Sequence, residues 1–233
     1  YILNGNKMWI TNAQFADVAV VWAKTGEDPS SIQGFLVEKD MPGFEAHGIP
    51  YKMSMRASAT GSLVLDEVRV PEANRLPEAH GLSGPLRCLS NARYSVGFGV
   101  LGAAKDCLER AVEYSCDRRQ FNVPLASKQL VQQKLAVMAS DVVHGAVLGV
   151  HYGRLKEKDQ LHHTQVSLFK RQSCAAALDA ARQARALLGG NGITTDYHVI
   201  RHMLNLESTY TYEGTHAIHT LAIGRALTGE HGF

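Results

Sequence analysis

The stretch Val131-Gln-Gln-Lys-Leu-Ala-Val-Met-Ala-Ser-Asp-Val-Val-His-Gly-Ala-Val-Leu-Gly149 decides the fold class of the larger part of this chain. Its apolar and small residues recur alternately three and four positions apart, as they do on one face of a helix that packs along its length. Helical patterns also cover about residues 85–117 and 164–188, and the second of these ends at the glycine loop Leu188-Gly-Gly-Asn-Gly192. Shorter helices are predicted over about residues 196–205 and 214–228. The pattern predicts an antiparallel helical bundle.

The first 80 residues carry a β pattern. Asn4-Gly5 predicts a hairpin turn, and apolar or β-branched runs predict strands over Ala16–Trp22, Ile32–Val37 and Ser62–Val70. So few strands do not close a sheet alone, and the chain does not begin with Met. We therefore expect it to start inside a folded β domain, residues 1–80, which is followed by a helical domain, residues 81–233.

Composition argues against several function classes. The 233 residues carry 24 basic and 22 acidic side chains, a net charge of +2, and no long basic run, which argues against a nucleic-acid surface. No apolar stretch is expected to be long enough to span a membrane. The four cysteines form no Cys-x-x-Cys pair, so we expect free thiols and a reducing compartment.

The segment Tyr210-Thr-Tyr-Glu-Gly-Thr-His216 is the strongest candidate for chemistry. It places the Glu213 carboxylate beside a glycine at the predicted start of the last helix, where a ligand can approach the backbone and helix N–H groups can hold an anion. One interpretation is a base that faces a cleft. The other is an acidic residue in a first helical turn, which the helix dipole favours.

Three further clusters each have a functional and a structural interpretation. Trp9-Ile-Thr-Asn12 offers a ring and a hydroxyl to a flat cofactor, or contains an ordinary buried tryptophan. Arg118, in Asp117-Arg-Arg-Gln-Phe121, can pair with a pyrophosphate or lie in a solvated interhelical turn. The loop 188–192 can cradle a phosphate or only end a helix. No Rossmann glycine pattern follows a strand, and His216 with His219 lacks a third ligand, so no metal is expected.

Taken together, these motifs resemble the flavin-dependent acyl-CoA dehydrogenases. Each motif is weak alone, but the resemblance extends over nearly the whole chain and rests on their order and spacing. The motifs are Asn4-Gly-Asn-Lys-Met-Trp-Ile-Thr-Asn12, Arg56-Ala-Ser-Ala-Thr60, Asp66-Glu-Val-Arg-Val-Pro71, Arg118-Arg-Gln-Phe121 with Gln129, Leu188-Gly-Gly-Asn-Gly192 and Tyr212-Glu-Gly-Thr215.

The resemblance implies an N-terminal helical domain, a middle β domain and a C-terminal antiparallel four-helix bundle. This chain would lack the first of these and the first strands of the second. Within the family, Cys88–Tyr94, Ala181–Arg185 and Tyr197–His202 look most like the branch that acts on glutaryl-CoA. In that branch an arginine and a serine of the N-terminal part recognise the distal carboxylate.

The family mechanism implies a role for Glu213. A glutamate removes the α-proton of an acyl thioester and the β-hydrogen leaves as hydride to the flavin of FAD, while hydrogen bonds to the thioester carbonyl stabilise the enolate-like charge. Glu213 matches that catalytic base. Some members carry the base just before the arginine of the first long helix, but Ala92 stands there in this sequence and cannot accept a proton.

The resemblance also implies binding residues and partners. The predicted FAD-binding residues, some of which would reach a flavin held by a neighbouring subunit, are Trp9, Ile10, Thr11, Arg118, Phe121, Gln129, Ala186, Leu187, Leu188, Gly189, Gly190, Thr215 and Phe233. The predicted acyl-CoA-binding residues are Leu86, Arg87, Cys88, Leu89, Ser90, Asn91, Ala92, Arg93, Tyr212 and Gly214. Shared sites imply a homotetramer, and the family passes its electrons to electron-transfer flavoprotein.

Several alternatives stay open. The substrate is glutaryl-CoA, oxidised and decarboxylated to crotonyl-CoA, or another short acyl-CoA. A non-catalytic helical assembly module is the alternative from a different class. Bacterial cytoplasm and mitochondrial matrix fit equally well. The sequence departs from the family pattern at Asn122, where a glycine usually follows the phenylalanine, and at Ala217, where an acidic or polar residue is common.

Overall fold

A computed structural model of the chain describes residues 1–230 and residue 232, apart from the side chain of Pro29. The chain forms two compact units, Tyr1–Leu89 and Ser90–Phe233. The first unit is mainly β-strand and the second is mainly helix. This order confirms the predicted fold class, in which a β-sheet domain precedes a helical bundle.

The first unit consists of two three-stranded antiparallel sheets. Its strands are β1 (Ile2–Thr11), β2 (Val18–Lys24), β3 (Ile32–Glu38), β4 (Phe44–Gly48), β5 (Thr60–Arg69) and β6 (Arg75–His80). One sheet has the order β1-β5-β4 and the other has the order β2-β3-β6. Alternate apolar side chains of both sheets are buried in one core, because successive residues of a strand point to opposite faces. That core contains Leu3, Ala13, Val21, Phe35, Val37, Leu63, Leu65, Val68 and Val70.

The predicted hairpin turn at Asn4-Gly5 is wrong. Both residues lie inside β1, where the register against β5 shifts, and Glu67 on the opposite strand has a φ of 54°. The Asn4 side-chain oxygen accepts a hydrogen bond of 2.8 Å from the Glu67 N–H. The asparagine therefore supports a β-bulge in the neighbouring strand instead of reversing the chain.

Two strands have no counterpart in the sequence-based prediction. β4 and β6 lie at the edges of their sheets. β6 contains Pro77, which lacks an N–H and is tolerated where one side of a strand is unpaired. β4, with the sequence Phe44-Glu-Ala-His-Gly48, has few β-branched residues. Edge pairing, which a linear pattern does not reveal, decides both.

The helices are α1 (Ser83–Asp117), α2 (Gln129–Glu157), α3 (His163–Leu187), α4 (Val199–Thr211) and α5 (His216–Thr228). α1 begins in the first unit and continues into the second. A short hairpin of β7 (Arg119–Gln120) and β8 (Val123–Pro124) connects α1 to α2. The bounds of α1 and α3 agree with the predicted ones to within two residues.

α3 lies at the centre of the helical unit and packs against α2, α4 and α5. Its small side chains let these neighbours approach on several sides. The buried residues of α3 are Val166, Ser167, Phe169, Lys170, Ser173, Cys174, Ala177, Leu178, Ala180, Ala181 and Ala184. Lys170 is the charged residue among them, and it is only 1% exposed.

The predicted bounds of the last two helices need correction. α4 runs to Thr211 instead of ending near residue 205, because Thr209 and Thr211 donate their hydroxyl protons to main-chain carbonyls one turn earlier and so tolerate helical backbone. α5 begins at His216 instead of Gly214, because the Thr215 hydroxyl accepts a hydrogen bond of 3.2 Å from the Ile218 N–H and caps the helix there.

The expectation that no stretch is long and apolar enough to cross a membrane was wrong for α2. Among the described residues, α2 alone has that length and composition. Such a helix is weak evidence for a membrane, since helices that pack in the core of proteins in water can have the same composition.

The glycine loop after α3 yields a stability prediction. A Cβ on the buried Gly192 would lie 2.1 Å from the Arg185 carbonyl oxygen, whereas a Cβ on the exposed Gly102 in α1 would meet no heavy atom within 4 Å. We expect Gly192→Ala to lower the free energy of unfolding by about 1–3 kcal/mol. Gly102→Ala should be neutral or stabilising by up to about 1 kcal/mol. Chemical denaturation of both variants tests this, and equal unfolding free energies would contradict it.

Candidate active site

The candidate base lies in a tight turn between α4 and α5. Glu213 has a φ of 58° and Gly214 a φ of 89°, so two consecutive residues have left-handed backbone. This conformation costs a glutamate about 1–2 kcal/mol, whereas glycine adopts it freely. Because α5 begins only at His216, Glu213 lies outside the helix. The interpretation of Glu213 as an acidic residue of a first helical turn is therefore wrong.

Three side chains from three helices bind the main chain of this turn. The Glu213 carbonyl oxygen accepts hydrogen bonds from Arg93 Nε on α1 (2.9 Å) and from His219 Nε2 on α5 (3.1 Å). The Gly214 carbonyl oxygen accepts a hydrogen bond from Lys170 Nζ on α3 (2.9 Å). The turn is thus held through its backbone and not through its carboxylate.

Burial changes the proton affinities of two of these donors. Burial, together with the nearby positive charges of Lys170 and Arg93, lowers the pKa of His219 to about 4. Burial also lowers the pKa of Lys170. A carbonyl oxygen only accepts, so the neutral His219 ring must carry its proton on Nε2. His219 therefore supplies a hydrogen bond to the turn without adding a charge.

The Glu213 carboxylate is left free by these contacts. Its Oε2 atom is buried and has no hydrogen-bond partner within the described part of the chain. Buried polar atoms are rarely unpaired in folded proteins, and catalytic groups are among the exceptions. A carboxylate in this state can accept a proton from a group that enters beside it.

Gly214 also gives the donors room. A Cβ at this position would lie 3.0 Å from His219 Nε2 and 3.4 Å from an Arg93 terminal nitrogen. The positive φ and the close approach of two side chains both require glycine here. Gly214 therefore has a packing role in the turn in addition to its predicted contact with an acyl group.

The predicted acyl-CoA residues of α1 lie on its first three turns. Leu86, Arg87, Cys88 and Asn91 are exposed, whereas Leu89, Ser90, Ala92 and Arg93 are half-buried. The Asn91 side-chain oxygen accepts a hydrogen bond of 2.8 Å from Lys156 Nζ on α2. Arg93, predicted as a polar contact of the CoA channel, directs its Nε to the Glu213 carbonyl.

Tyr212 lines a cavity of about 430 Å³ between α1 and α4. Val96 and Val100 of α1 and Leu206 of α4 form its apolar walls, and His202 is among its polar residues. The His202 ring lies 3.0 Å from the Asp106 carboxylate. An apolar cavity with a few polar groups, adjacent to the residue before the base, can accept a short acyl chain.

The connection between α1 and α2, together with the first residue of α2, carries three of the predicted flavin contacts. Arg118 is exposed, Phe121 is 87% exposed, and Gln129 is the first residue of α2. Phe121 and Gln129 line an open cleft of about 640 Å³. An exposed guanidinium can bind a pyrophosphate, and an exposed aromatic ring and carboxamide can bind an adenine, so these residue types fit the pyrophosphate and adenosine part of FAD.

The departure at Asn122 has a structural reason. The two residues between β7 and β8, Phe121 and Asn122, have φ values of 54° and 64°. A two-residue hairpin loop with both φ values positive favours glycine or asparagine, because these residues adopt left-handed backbone at low cost. Asn122 thus replaces a glycine without changing the turn, and the backbone still directs the Phe121 ring outward.

The predicted flavin contacts at the end of α3 differ in exposure. Ala186, Gly189 and Gly190 are exposed, Leu187 is half-buried and Leu188 is only 1% exposed. Gly189 has a φ of 59°, as expected for a glycine that ends a helix. A Cβ on Gly189 or Gly190 would meet nothing within 4 Å, so a ligand can approach this backbone. Leu188 packs in the helical core and offers only its backbone.

The remaining flavin candidates lie in three places. Trp9, with a φ of 64° and 63% exposure, protrudes from a register shift in β1, so the interpretation of a buried tryptophan is wrong. Ile10 and Thr11 line a cavity of about 260 Å³ within the first unit. Thr215 caps α5, and Phe233 lies outside the described residues.

The histidines of α5 do not contribute to a metal site in the described part of the chain, which contains no group of three or more metal-binding side chains. The His216 ring stacks on Tyr210 with centroids 4.6 Å apart. The His219 ring donates a hydrogen bond to the Glu213 carbonyl oxygen. Its neighbour on α3, Lys170, was not predicted from the sequence, although a lysine within a buried alanine-rich stripe is a signal for a paired charge.

The comparisons with known proteins match both units. Residues 1–68 match the family Acyl-CoA dehydrogenase, middle domain, and residues 79–228 match Acyl-CoA dehydrogenase, C-terminal domain. An acyl-CoA dehydrogenase of Bacillus subtilis (strain 168) is 35% identical over 232 residues, which are 98% of this chain and 61% of the relative. The chain thus spans about three fifths of the length of the relatives that it matches.

Two solved structures extend this match to the fold. Glutaryl-CoA dehydrogenase from Mycobacterium smegmatis is 54% identical with a TM-score of 0.96, and the match covers 100% of this chain and 59% of the other. A second structure of a glutaryl-CoA dehydrogenase from that organism, in complex with FADH2, is 50% identical with the same TM-score and coverage. On these matches the chain belongs to the acyl-CoA dehydrogenases, a family whose cofactor is FAD.

Proposed function

We propose that this protein catalyses the flavin-dependent α,β-dehydrogenation of a short acyl-CoA, with Glu213 as the catalytic base. The observation that carries the proposal is the buried Oε2 of Glu213, which has no partner within the described residues although three donors bind the same turn. A purely structural glutamate in such surroundings would be expected to pair with one of those donors.

The chain's own residues account for the removal of the α-proton and for binding of the substrate. Glu213 removes the α-proton of the acyl thioester, and its buried Oε2, which has no partner within the described residues, is available to accept that proton. Tyr212 and Gly214 border the acyl group, and the residues 86–93 of α1 bind the CoA part. FAD, when bound, accepts the β-hydrogen as hydride. Loss of the α-proton and of the β-hydride converts the acyl-CoA into an enoyl-CoA.

Three groups of residues are proposed to hold FAD. Trp9, Ile10 and Thr11 contact the flavin ring, and Arg118, Phe121 and Gln129 contact the pyrophosphate and adenosine part. Residues 186–190 contact the adenosine part, and Thr215 lies near the flavin. The exposed guanidinium, ring and carboxamide beside the α1–α2 hairpin support this assignment, as does the open backbone at Gly189 and Gly190.

Glutaryl-CoA is the proposed substrate. Removal of two hydrogens gives an enoyl-CoA that keeps the distal carboxylate, and cleavage of the bond to that carboxylate releases carbon dioxide and leaves crotonyl-CoA after protonation. The two M. smegmatis structures, both of glutaryl-CoA dehydrogenases, support this choice. The alternative is another short acyl-CoA, which the apolar cavity beside Tyr212 would also accept.

A homotetramer and electron-transfer flavoprotein are the proposed partners. Exposed apolar residues of α2 support the assembly, since Leu130, Val137, Val143, Val147 and Val150 are 48–75% exposed. Exposed apolar surface is stabilised when another subunit covers it. Four free cysteines are consistent with a reducing compartment, either bacterial cytoplasm or mitochondrial matrix.

The substrate is tested first by absorption spectroscopy of the full-length protein. We expect a bound flavin whose visible absorption bleaches on addition of glutaryl-CoA, with release of carbon dioxide, and more slowly with butyryl-CoA. Faster bleaching by butyryl-CoA, without carbon dioxide from glutaryl-CoA, would favour the alternative substrate. A protein that binds no flavin and oxidises neither acyl-CoA would favour the non-catalytic assembly module.

The base is tested by Glu213→Gln, which keeps the size of the side chain but cannot accept a proton. We expect substrate-dependent flavin bleaching to slow by about 10²- to 10⁴-fold, since general-base catalysis contributes that much. Flavin content and unfolding temperature should stay unchanged. Glu230→Gln, at an exposed position after α5, is the matched control and should keep full activity. Normal activity of Glu213→Gln would refute the assignment.

Flavin binding at the hairpin is tested by Arg118→Gln against its neighbour Arg119→Gln. Both residues are exposed, but only Arg118 is among the predicted flavin contacts. We expect Arg118→Gln to weaken flavin retention by about tenfold or more, because a charge-assisted hydrogen bond contributes roughly 1.5–3 kcal/mol. Flavin content after dialysis measures this. Equal retention by both variants would remove the hairpin from the flavin site.

A further inference from the structure

We propose that Arg93, Lys170 and His219 act together as positioning residues that hold the Glu213 carboxylate where it can accept the α-proton. This inference rests on the proposed role of Glu213 as the base. It extends that role to three side chains whose hydrogen bonds go to the main chain of the turn, and of these only Arg93 is also proposed as a contact of the CoA part.

The first support is geometric. Two carbonyl oxygens one residue apart accept three hydrogen bonds of 2.9–3.1 Å. The donors come from α1, α3 and α5, so they approach the turn from three elements. Three separate attachments fix the orientation of the peptide planes on both sides of Gly214, and with them the direction in which the Glu213 side chain leaves the backbone.

The second support is the backbone conformation. Glu213 at a φ of 58° lies in a region that glutamate rarely adopts, so the turn persists only if its surroundings hold it there. Arg93 and His219 bind the carbonyl of this same residue. Without them the Glu213–Gly214 peptide can relax toward ordinary backbone, which would rotate the carboxylate away from its present position.

The third support is the choice of acceptor. Arg93 and Lys170 are positively charged and would form strong ion pairs with a carboxylate. They bind carbonyl oxygens instead, while Glu213 Oε2 stays unpaired within the described residues. A base that is locked in an ion pair accepts protons poorly, so this arrangement fixes the side chain and leaves its oxygen available.

The burial of the donors excludes a casual surface contact. Lys170 and His219 are each 1% exposed, and burial of such polar groups is unfavourable unless they are hydrogen-bonded. The lowered pKa of His219 is consistent with a neutral ring whose Nε2–H faces the carbonyl. A glutamine side chain can place an amide N–H at a similar distance from the backbone, whereas leucine fills the space without a donor.

The test compares His219→Leu with His219→Gln in the full-length, flavin-loaded protein. Wild-type protein and Glu213→Gln are measured alongside. We expect His219→Leu to slow α-proton removal by about 10- to 100-fold, because a displacement of about 1 Å can cost that much. The dissociation constant of a non-oxidisable acyl-CoA analogue and the flavin content should change less than twofold. His219→Gln should restore most of the rate.

A second variant, Lys170→Met, tests the other carbonyl. It keeps the unbranched stem and removes the donor, and we expect the same slowing with an increased kinetic isotope effect for a substrate deuterated at the α-carbon. The His219 pair decides the question if Lys170→Met does not fold. A structural role alone would lower the unfolding temperature but leave the rate per bound flavin and the isotope effect unchanged.

The outcomes separate this inference from the proposed function. Wild-type activity that requires Glu213, together with unchanged rates in His219→Leu and Lys170→Met, would overturn the positioning role alone. Failure of His219→Gln to restore a rate lost in His219→Leu would also overturn it, since the N–H would then not be the feature that matters. Equal rates for wild type and Glu213→Gln would overturn the proposed base and the positioning role together.

Discussion

The left-handed backbone of Glu213 and Gly214 is the constraint on which the arrangement of the candidate site depends. Its two carbonyl oxygens must meet donors from α1, α3 and α5, so these three helices must pack at defined distances. Gly97 of α1 permits part of this packing, because a Cβ there would lie 2.8 Å from the Phe169 ring and 3.3 Å from the Lys170 Cα. The conformation of the turn therefore depends on how closely these helices pack.

Electrostatics explains why two of the three donors, Arg93 and Lys170, are cations that bind carbonyl dipoles. A buried lysine loses hydration, and one carbonyl returns only part of that energy. Burial is the largest effect on Lys170 and lowers its pKa, while the negative charge of Glu213 acts in the opposite direction and favours the charged form. His219 stays uncharged because burial and its two cationic neighbours disfavour a further positive charge. The site thus combines two cations, one anion and one neutral donor.

The sequence predicts the long elements well because their patterns are periodic and local. The spacing in the stretch 131–149 and the glycines after Leu188 sufficed to place α2 and the end of α3. The sequence-based prediction failed where strand pairing is non-local. Asn4-Gly5 has the sequence of a turn but supports a bulge at Glu67. The edge strands β4 and β6 lack an alternation of apolar residues.

The candidate site shows the same limit. The motif Tyr212-Glu-Gly-Thr215 pointed to Glu213, and the resemblance to a family gave that residue a role. No local pattern connects this turn with Lys170, which lies 44 residues earlier in the chain, or with Arg93, 120 residues earlier. Only the packing of α1, α3 and α5 brings their donors together. The sequence therefore pointed to the proposed base but not to the contacts that Arg93, Lys170 and His219 make with its turn.

The non-glycine residues with positive φ fall into two groups: those whose side chain or neighbours readily permit this backbone, and those with larger side chains. Among the described residues, Asn12, Asn122 and Asp159 adopt positive φ values that their short polar side chains tolerate. Glu67 is supported by Asn4, and the Met55 carbonyl accepts a hydrogen bond from Lys52. Trp9, Phe121, His198 and Glu213 remain as larger side chains with positive φ.

Trp9, Phe121 and Glu213 share another property, because each was singled out from the sequence as a contact of the flavin or as the base, whereas His198, the N-cap of α4, was not. Strained backbone persists only where surrounding contacts impose it, and it is concentrated at sites where a side chain must take one direction. At Glu213 those contacts are visible as three hydrogen bonds. At Trp9 a β-bulge and at Phe121 a two-residue hairpin loop impose the direction instead. Three different local structures thus solve the same problem, which is to present a bulky or reactive side chain that regular helix or strand would place elsewhere.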